Sequence, residues 1–135
     1  IVSWQGKVKP GVSDALVSHI DLFASMAHLI DGNIEEGAAP DSRNALPALL
    51  GKDKKGREYI IEKAYAISVN DGEWKYIPAN NGRAYDDLTD IELGNSEVDQ
   101  LYNLKNDRGE KVNLATQHPE VVARLKAILQ KEQGN

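Results

Sequence analysis

A β-hairpin around residues 65–77 is the feature that most restricts how this chain can fold. From Tyr65 to Val69, apolar and aromatic residues alternate with small ones, and residues 70–72 are Asn-Asp-Gly. The run Trp-Lys-Tyr-Ile follows at 74–77. Alternation on both sides of a turn that tolerates a positive φ predicts two antiparallel strands.

The C-terminal segment predicts a helix from about Pro119 to Gln130. Proline suits the first helical position because it lacks an N–H, and Glu120 places a negative charge at the positive end of the helix dipole. The apolar stripe consists of Val121, Val122, Leu125, Ile128 and Leu129. A helix alone cannot bury such a stripe, so it must lie across the sheet. The predicted fold class is α+β, a small antiparallel sheet packed against a C-terminal helix.

Weaker strand patterns lie on either side of the hairpin. Residues 58–62 and 100–104 are rich in Ile, Tyr and Leu and predict two further strands, which would give a sheet of three or four strands. Residues 1–4, before the turn at Pro10 and Gly11, predict the end of another strand. The stretch 78–95 has little periodicity and many Asn, Asp and Gly residues, which is typical of a long functional or mobile loop.

Two helices are predicted in the N-terminal half. Between residues 13 and 30, apolar residues recur at steps of three and four, and by pattern alone this favours one amphipathic helix. Asp41 and Ser42 can cap a short helix over residues 44–50, which Gly51 would end.

Composition excludes several classes of protein. The net charge is −5 and the lysines are scattered among 135 residues, which argues against a nucleic-acid-binding face. There is no cysteine, hence no disulfide and no thiolate metal site. No apolar run approaches the roughly 20 residues that span a bilayer, so we expect no membrane partner. The chain begins with Ile1 inside an apolar stretch, which suggests a piece of a longer protein.

The stretch from Leu101 to Ala115 carries a family resemblance. It reads Leu-Tyr-Asn-Leu, then Asn-Asp-Arg-Gly-Glu, then Asn-Leu-Ala, and a helix beginning Pro119-Glu120 follows. This order resembles the C-terminal signature of the sulfatases, with Arg108 where a proline is usual. Weaker similarity to the family occurs at residues 4–11, 21–26, 41–51 and 72–77.

The resemblance implies how the chain is organised. Residues 1–51 would be the terminal part of the sulfatase α/β domain, with its last strand near 15–18 and a helix from about 21 to 30. Residues 52–135 would be the C-terminal subdomain that walls the active-site cleft. The expected partner is the upstream catalytic domain, and the parent protein is expected to be periplasmic or secreted.

Sulfatase chemistry would come from outside this chain. The resemblance implies that the parent uses a formylglycine nucleophile, made from Cys or Ser in a Cys/Ser-x-Pro/Ala-x-Arg motif, together with calcium. No serine here begins that motif, and the paired aspartates of the metal site are missing. We therefore predict no catalytic residue, no metal ligand and no cofactor in the chain, which alone should be inactive.

The remaining titratable residues are best explained structurally. His19 and His28 would lie on opposite sides of one helix, which opposes shared ligation, and His118 should lie at the edge of the last helix. Acidic pairs such as Asp86-Asp87 lack the order of a calcium loop and are typical of a solvated loop.

Four residues, Glu62, Lys63, Arg83 and Tyr85, are the candidates for binding substrate, and Lys75 is a further basic residue that could do so. Arg83 can pair with sulfate oxygens, as can Lys75, and Tyr85 lies in the long loop where it could stack on a sugar. Glu62 and Lys63 stand where the resemblance implies a polar substrate entrance. The hairpin aromatic Trp74 is better explained as core than as a sugar platform.

Two functions remain open from the sequence. In the first, the parent hydrolyses sulfate esters of a sulfated glycan or an aryl group, and this portion supplies stability and part of the cleft wall. In the second, the chain is a non-catalytic glycan- or protein-binding module that uses the aromatic hairpin and the long loop. On its own, the N-terminal part should expose apolar surface and self-associate.

Overall fold

The chain divides into two units between Glu58 and Tyr59. A computed structural model describes residues 1–134. The first unit contains helix α1 (Asp21–Leu29) and the single-turn helix α2 (Leu46–Leu49). The predicted helix at 21–30 is therefore confirmed, and the longer helix that the apolar pattern alone favoured does not form.

Two polar side chains are buried in the first unit, beside Ala24 and Ala48. Asp21 and Ser25 on α1 are fully buried, whereas its apolar neighbours Phe23 and Ile30 are 57% and 76% exposed. Ser25 Oγ donates to the Asp21 carbonyl and accepts from the Ala45 N–H, at 2.6 and 2.9 Å. The Ser25–Ala45 hydrogen bond thus connects α1 to the segment before α2.

Three local predictions for this unit are wrong. Residues 1–4 form no strand, and instead of a strand at 15–18 only Leu16 pairs, through one parallel bridge to Gly56. Asp41 and Ser42 do not cap α2, whose first turn follows Ala45. Ser42 Oγ instead accepts from the Ala24 N–H of α1 and donates to the Ile20 carbonyl, so its hydroxyl is already engaged with the other helix.

The second unit is an antiparallel sheet with a covering helix, as the α+β prediction required. Its elements are β1 (Ile60–Lys63), β2 (Ile67–Asn70), β3 (Trp74–Ile77), β4 (Tyr85–Asp86), β5 (Ile91–Glu92), β6 (Gln100–Asn103) and α3 (Pro119–Gln133). The main sheet has the order β1-β2-β3-β6, and β4 pairs with β5 separately. The stretch predicted as a loop therefore contains a small hairpin of its own.

One face of the main sheet packs against α3. Val69 lies opposite Ile61 on β1 and Tyr76 on β3, and Tyr76 in turn lies opposite Leu101. These residues form a core with Leu125 and Leu129, and Leu125 is fully buried. Ile128 also packs against the core, so the apolar stripe predicted for the last helix is confirmed.

The predicted hairpin forms with a shorter first strand. β2 begins at Ile67, and Tyr65 lies in the preceding turn with 70% of its surface exposed. Within the triplet at 70–72, only Gly72 adopts a positive φ, of 91°. The Asp71 carboxylate closes the turn by accepting from the N–H of Trp74 at 2.7 Å.

Among the helices of residues 1–134, none combines the length and the hydropathy needed to cross a membrane.

Candidate functional site

A cleft of about 520 Å³ opens in the second unit, beside the turn between β1 and β2. Its other wall is the segment 78–95 that carries β4 and β5. The cleft is lined by Lys63, Tyr65, Ala66, Ile67, Pro78, Asn80, Gly82, Arg83, Asp86, Leu93, Asn95 and Gln133. Its volume falls within the range of small-molecule sites, about 300–1,000 Å³.

Hydrogen bonds hold the 78–95 wall in a defined conformation. The N–H of Asn80 donates to the Ser96 carbonyl and that of Leu93 to the Ala84 carbonyl, each at 2.7 Å. Asp99 fixes the start of the wall, since its Oδ1 accepts from the Ala79 N–H at 2.8 Å. The wall is therefore held in one conformation by hydrogen bonds, although its sequence is typical of a loop.

Asp99 also joins the wall to the buried core. The hydroxyl of Tyr76 donates to the same Oδ1 atom at 3.1 Å. Burial raises the pKa of Tyr76, and the Asp99 carboxylate raises it further, so the phenol stays protonated and continues to donate.

Glycine at position 82 permits close contact inside the wall. A Cβ atom there would lie 2.6 Å from Cγ and Nδ2 of Asn95. Asn95 Nδ2 donates to the Arg83 carbonyl at 2.7 Å. A larger residue at 82 would therefore displace the Asn95 amide from the cleft.

The structure brings together two of the four residues predicted to bind substrate. Lys63, at the end of β1, and Arg83, from the opposite wall, both line the cleft. Glu62 is exposed but is absent from the lining, because neighbouring residues of a strand point to opposite faces. Tyr85 is 53% exposed on β4 and also lies outside the lining.

The charged side chains that line the cleft differ in whether they form an ion pair. Arg83 forms an ion pair with Asp87 in which both side chains are largely exposed. Within residues 1–134, Lys63 forms no ion pair. Asp86 contributes a carboxylate whose Oδ1 accepts from the Leu88 N–H at 2.9 Å.

The sequence pattern did not single out Asn80 and Asn95 as cleft residues. Tyr65, an aromatic that by its chemistry could stack on a sugar, lines the cleft just before the strand that begins at Ile67. The two asparagines lie in the stretch rich in Asn, Asp and Gly, and that composition was the available signal. Lys75, the other basic candidate, is instead bound to Glu110 at 2.7 and 2.9 Å.

Neither calcium nor a formylglycine nucleophile fits the residues present. The described residues contain no group of three or more His, Cys, Asp or Glu side chains that could hold a metal ion. Among residues 1–134, those that line the cleft include no histidine, serine or cysteine.

The aromatic hairpin forms part of the core. Trp74 packs against the core cluster, and its ring lies 4.9 Å from that of His118 at an interplanar angle of 54°. His118 is the residue that precedes the first turn of α3, as predicted.

Comparison with known proteins identifies close relatives. No protein-family model matches the chain. An N-acetylgalactosamine-6-O-sulfatase of Bacteroides thetaiotaomicron is 46% identical over 132 residues, which cover 96% of this chain and 26% of the relative. Human arylsulfatase A is 30% identical over 143 residues, covering 93% of this chain and 28% of the relative.

A solved structure, a 6S-sulfatase from work on glycosaminoglycan metabolism by Bacteroides thetaiotaomicron, has the same fold. It is 44% identical with a TM-score of 0.90, and the match covers 98% of this chain and 28% of that one. The chain thus spans about a quarter of the length of the relatives it matches.

Proposed function

Since sulfatase-family homology covers most of this chain, we propose that it is the C-terminal portion of a sulfatase that hydrolyses sulfate esters of a glycan. The observation that carries the proposal is the 46% identity to an N-acetylgalactosamine-6-O-sulfatase over almost the whole chain. That identity favours a 6-O-sulfated amino sugar over an aryl sulfate as the natural substrate.

In this proposal the chain supplies binding surface and stability. Lys63 and Arg83 form part of the wall that receives the sugar, since ammonium and guanidinium groups pair with anionic oxygens. Glu62 and Tyr85 lie outside the cleft lining, so any contact they make with the sugar would be at the rim of the cleft. The bond-breaking groups, including formylglycine and calcium, would belong to the upstream domain, since the sequence has no cysteine and residues 1–134 contain no cluster of side chains that could hold a metal ion.

The apolar face of α1 is the surface proposed to meet the upstream domain. Leu22, Phe23, Met26 and Ile30 are each at least 44% exposed in the described chain. Apolar side chains gathered on one helix are unfavourable in water and are usually covered by a partner. The 135-residue chain alone is therefore expected to self-associate, and light scattering over a wide concentration range would test this.

The decisive experiment compares the full-length parent with this chain. We expect the parent, supplied with calcium, to release sulfate from N-acetylgalactosamine 6-sulfate, while the 135-residue chain stays at the buffer blank. Turnover by the chain alone would overturn the assignment of the chemistry to the upstream domain. A parent without a Cys/Ser-x-Pro/Ala-x-Arg motif upstream of Ile1 would favour the binding-module alternative instead.

Substitutions in the parent test the proposed wall. Arg83→Ala should lower kcat/KM for the sulfated sugar about threefold to tenfold, given the usual strength of charge-assisted hydrogen bonds. Arg108→Ala is a matched control because Arg108 is exposed and lies outside the cleft lining. Equal kinetics for the two variants would show that this face is not the substrate wall.

A further inference from the structure

Asn81 and Gly82 form the one asparagine–glycine pair in the chain, and they lie in the 78–95 wall. The backbone nitrogen of the residue that follows an asparagine can attack the amide carbon of the asparagine side chain. Glycine permits this attack most readily, because it has no Cβ atom in the way and adopts backbone conformations that are closed to other residues. The pair is therefore a place where the chain can be modified covalently without an enzyme.

The structure leaves the Asn81 side chain free to react. Asn81 is exposed, and its side chain forms no hydrogen bond within residues 1–134. The amide can therefore rotate toward the Gly82 nitrogen, and water can reach it. Glycine at 82 is also required by packing, since a Cβ atom there would lie 2.6 Å from the Asn95 amide. The fold of the wall thus retains the reactive pair.

One hydrogen bond opposes the reaction. The Gly82 N–H donates to Oδ1 of Asn80 at 2.9 Å, in an exposed part of the wall. The Gly82 nitrogen must lose this proton in order to attack, so the bond has to open first. Opening should slow the reaction only about fivefold, which is the effect of one ordinary hydrogen bond to a neutral acceptor.

Asn95 offers a comparison within the same wall. It precedes Ser96, whose small side chain also leaves the backbone nitrogen accessible. Asn95 is only partly exposed, and its Nδ2 atom donates to the Arg83 carbonyl at 2.7 Å. This bond fixes the orientation of the amide, so Asn95 should react only after the wall has unfolded.

We infer that Asn81 is a deamidation site of this protein. The Gly82 nitrogen forms a bond to the Asn81 amide carbon and gives its proton to water, while the side-chain nitrogen leaves as ammonia with a proton taken from solvent. The product is a cyclic imide, and water opens it at either carbonyl to give aspartate or isoaspartate. Both products add a carboxylate between Asn80 and Gly82, which line the cleft. The inference does not depend on the proposed function.

The test follows position 81 in the full-length parent during incubation in mildly alkaline buffer, with and without guanidinium chloride. Trypsin releases the peptide Tyr76–Arg83, and fragmentation in the mass spectrometer separates Asn81 from Asn80. Isoaspartyl methyltransferase measures the isoaspartate. Asn81 in the folded parent should deamidate about fivefold more slowly than in guanidinium chloride. Asn95 should stay intact in the folded parent and deamidate only in the denaturant.

Two variants test the role of the Asn80 hydrogen bond. Asn80→Ala removes the acceptor, so the folded variant should deamidate at Asn81 about fivefold faster than the wild type, while the two rates in guanidinium chloride stay equal. Asn33→Ala is the matched control, because Asn33 is an exposed asparagine of the first unit and its removal should leave the rate at Asn81 unchanged.

The readouts are independent of sulfate release, so this inference and the proposed function fail separately. If Asn81 stays intact in the folded parent until the denatured parent is fully converted, Asn81 is not a deamidation site of the native protein and the inference is wrong. Equal rates at Asn81 in folded Asn80→Ala and Asn33→Ala would overturn the protective role given to Asn80.

Discussion

The carboxylate of Asp21 is held by the guanidinium group of Arg57, which lies 36 residues later in the chain. Arg57 Nε donates to Oδ2 at 2.7 Å, and a second nitrogen of the same group donates to Oδ1. The Asp21 side chain is fully buried, and that of Arg57 is 13% exposed. The backbone N–H groups of Ser18 and Arg43 also donate hydrogen bonds to this carboxylate.

Removing the charge of Asp21 should destabilise the first unit. Asp21→Asn keeps the shape but leaves the Arg57 cation with a neutral partner, and breaking a buried pair costs about 3 kcal/mol of unfolding free energy. Hydrogen exchange of the Ala24 and Arg43 amides would report the loss. Asp14→Asn, at an exposed position, is the control and should leave both protection factors unchanged.

The same pair predicts an acid transition. Burial raises the pKa of Asp21, but hydrogen bonds from Arg57, Arg43 and Ser18 outweigh it and hold the pKa below the ordinary value of 3.8. The unfolded state therefore binds the proton more readily, and the stabilisation is fully present above about pH 4 and lost as pH falls through the folded pKa. Amide protection measured from pH 6 to pH 2 should fall in the wild type. The decline should be shallower in Asp21→Asn, and parallel curves would contradict this assignment.

Gly56 should resist substitution because the backbone approaches it closely. Its φ is 65°, and a Cβ atom would lie 2.2 Å from the Leu16 carbonyl oxygen. Gly56→Ala is expected to destabilise the first unit by more than about 2 kcal/mol. Gly51→Ala separates the effect of the close contact from that of the positive φ, since Gly51 has a φ of 73° with nothing within 4 Å of its Cβ position. The same amide-exchange measurement should show a smaller loss, of about 1 kcal/mol, for Gly51→Ala.

The bond from Tyr76 to Asp99 should stabilise the second unit. Tyr76→Phe removes a buried donor to a charged acceptor, which should cost about 1.5 kcal/mol. Urea unfolding followed by fluorescence suits this test in a Trp4→Phe background, where Trp74 is the remaining tryptophan. Tyr85→Phe, at an exposed position, should change the free energy by less than about 0.5 kcal/mol. Equal losses of unfolding free energy in Tyr76→Phe and Tyr85→Phe would argue against a stabilising hydrogen bond between Tyr76 and Asp99.

Leu125 tests the packing of α3 on the sheet. Its side chain is fully buried, so Leu125→Ala should leave a cavity and lower the free energy of unfolding by about 3 kcal/mol. The control is Leu88→Ala, because Leu88 is 96% exposed. A midpoint in urea that does not move for Leu125→Ala would mean that the helix is not docked in solution.

Local patterns were sufficient to predict the main sheet of the second unit and the helix that covers it, but not the β4–β5 hairpin. The alternation before Gly72 and the stripe that contains Leu125 each repeat within a few residues, so the periodicity itself indicates which side is buried. The family resemblance likewise lies in one continuous stretch from Leu101 to Ala115, and the comparisons confirm it.

The cleft and the interior of the first unit depend on residues that are distant in sequence. Nothing near Asp21 indicates that Arg57 will reach it, and nothing near Lys63 indicates that Asn95 will line the same cleft. Apolar spacing between residues 13 and 30 predicted an amphipathic helix, but the side chains that α1 buries include the polar Asp21 and Ser25. Periodicity records which residues share a face of one element, whereas long-range hydrogen bonds and ion pairs form only after the elements pack together.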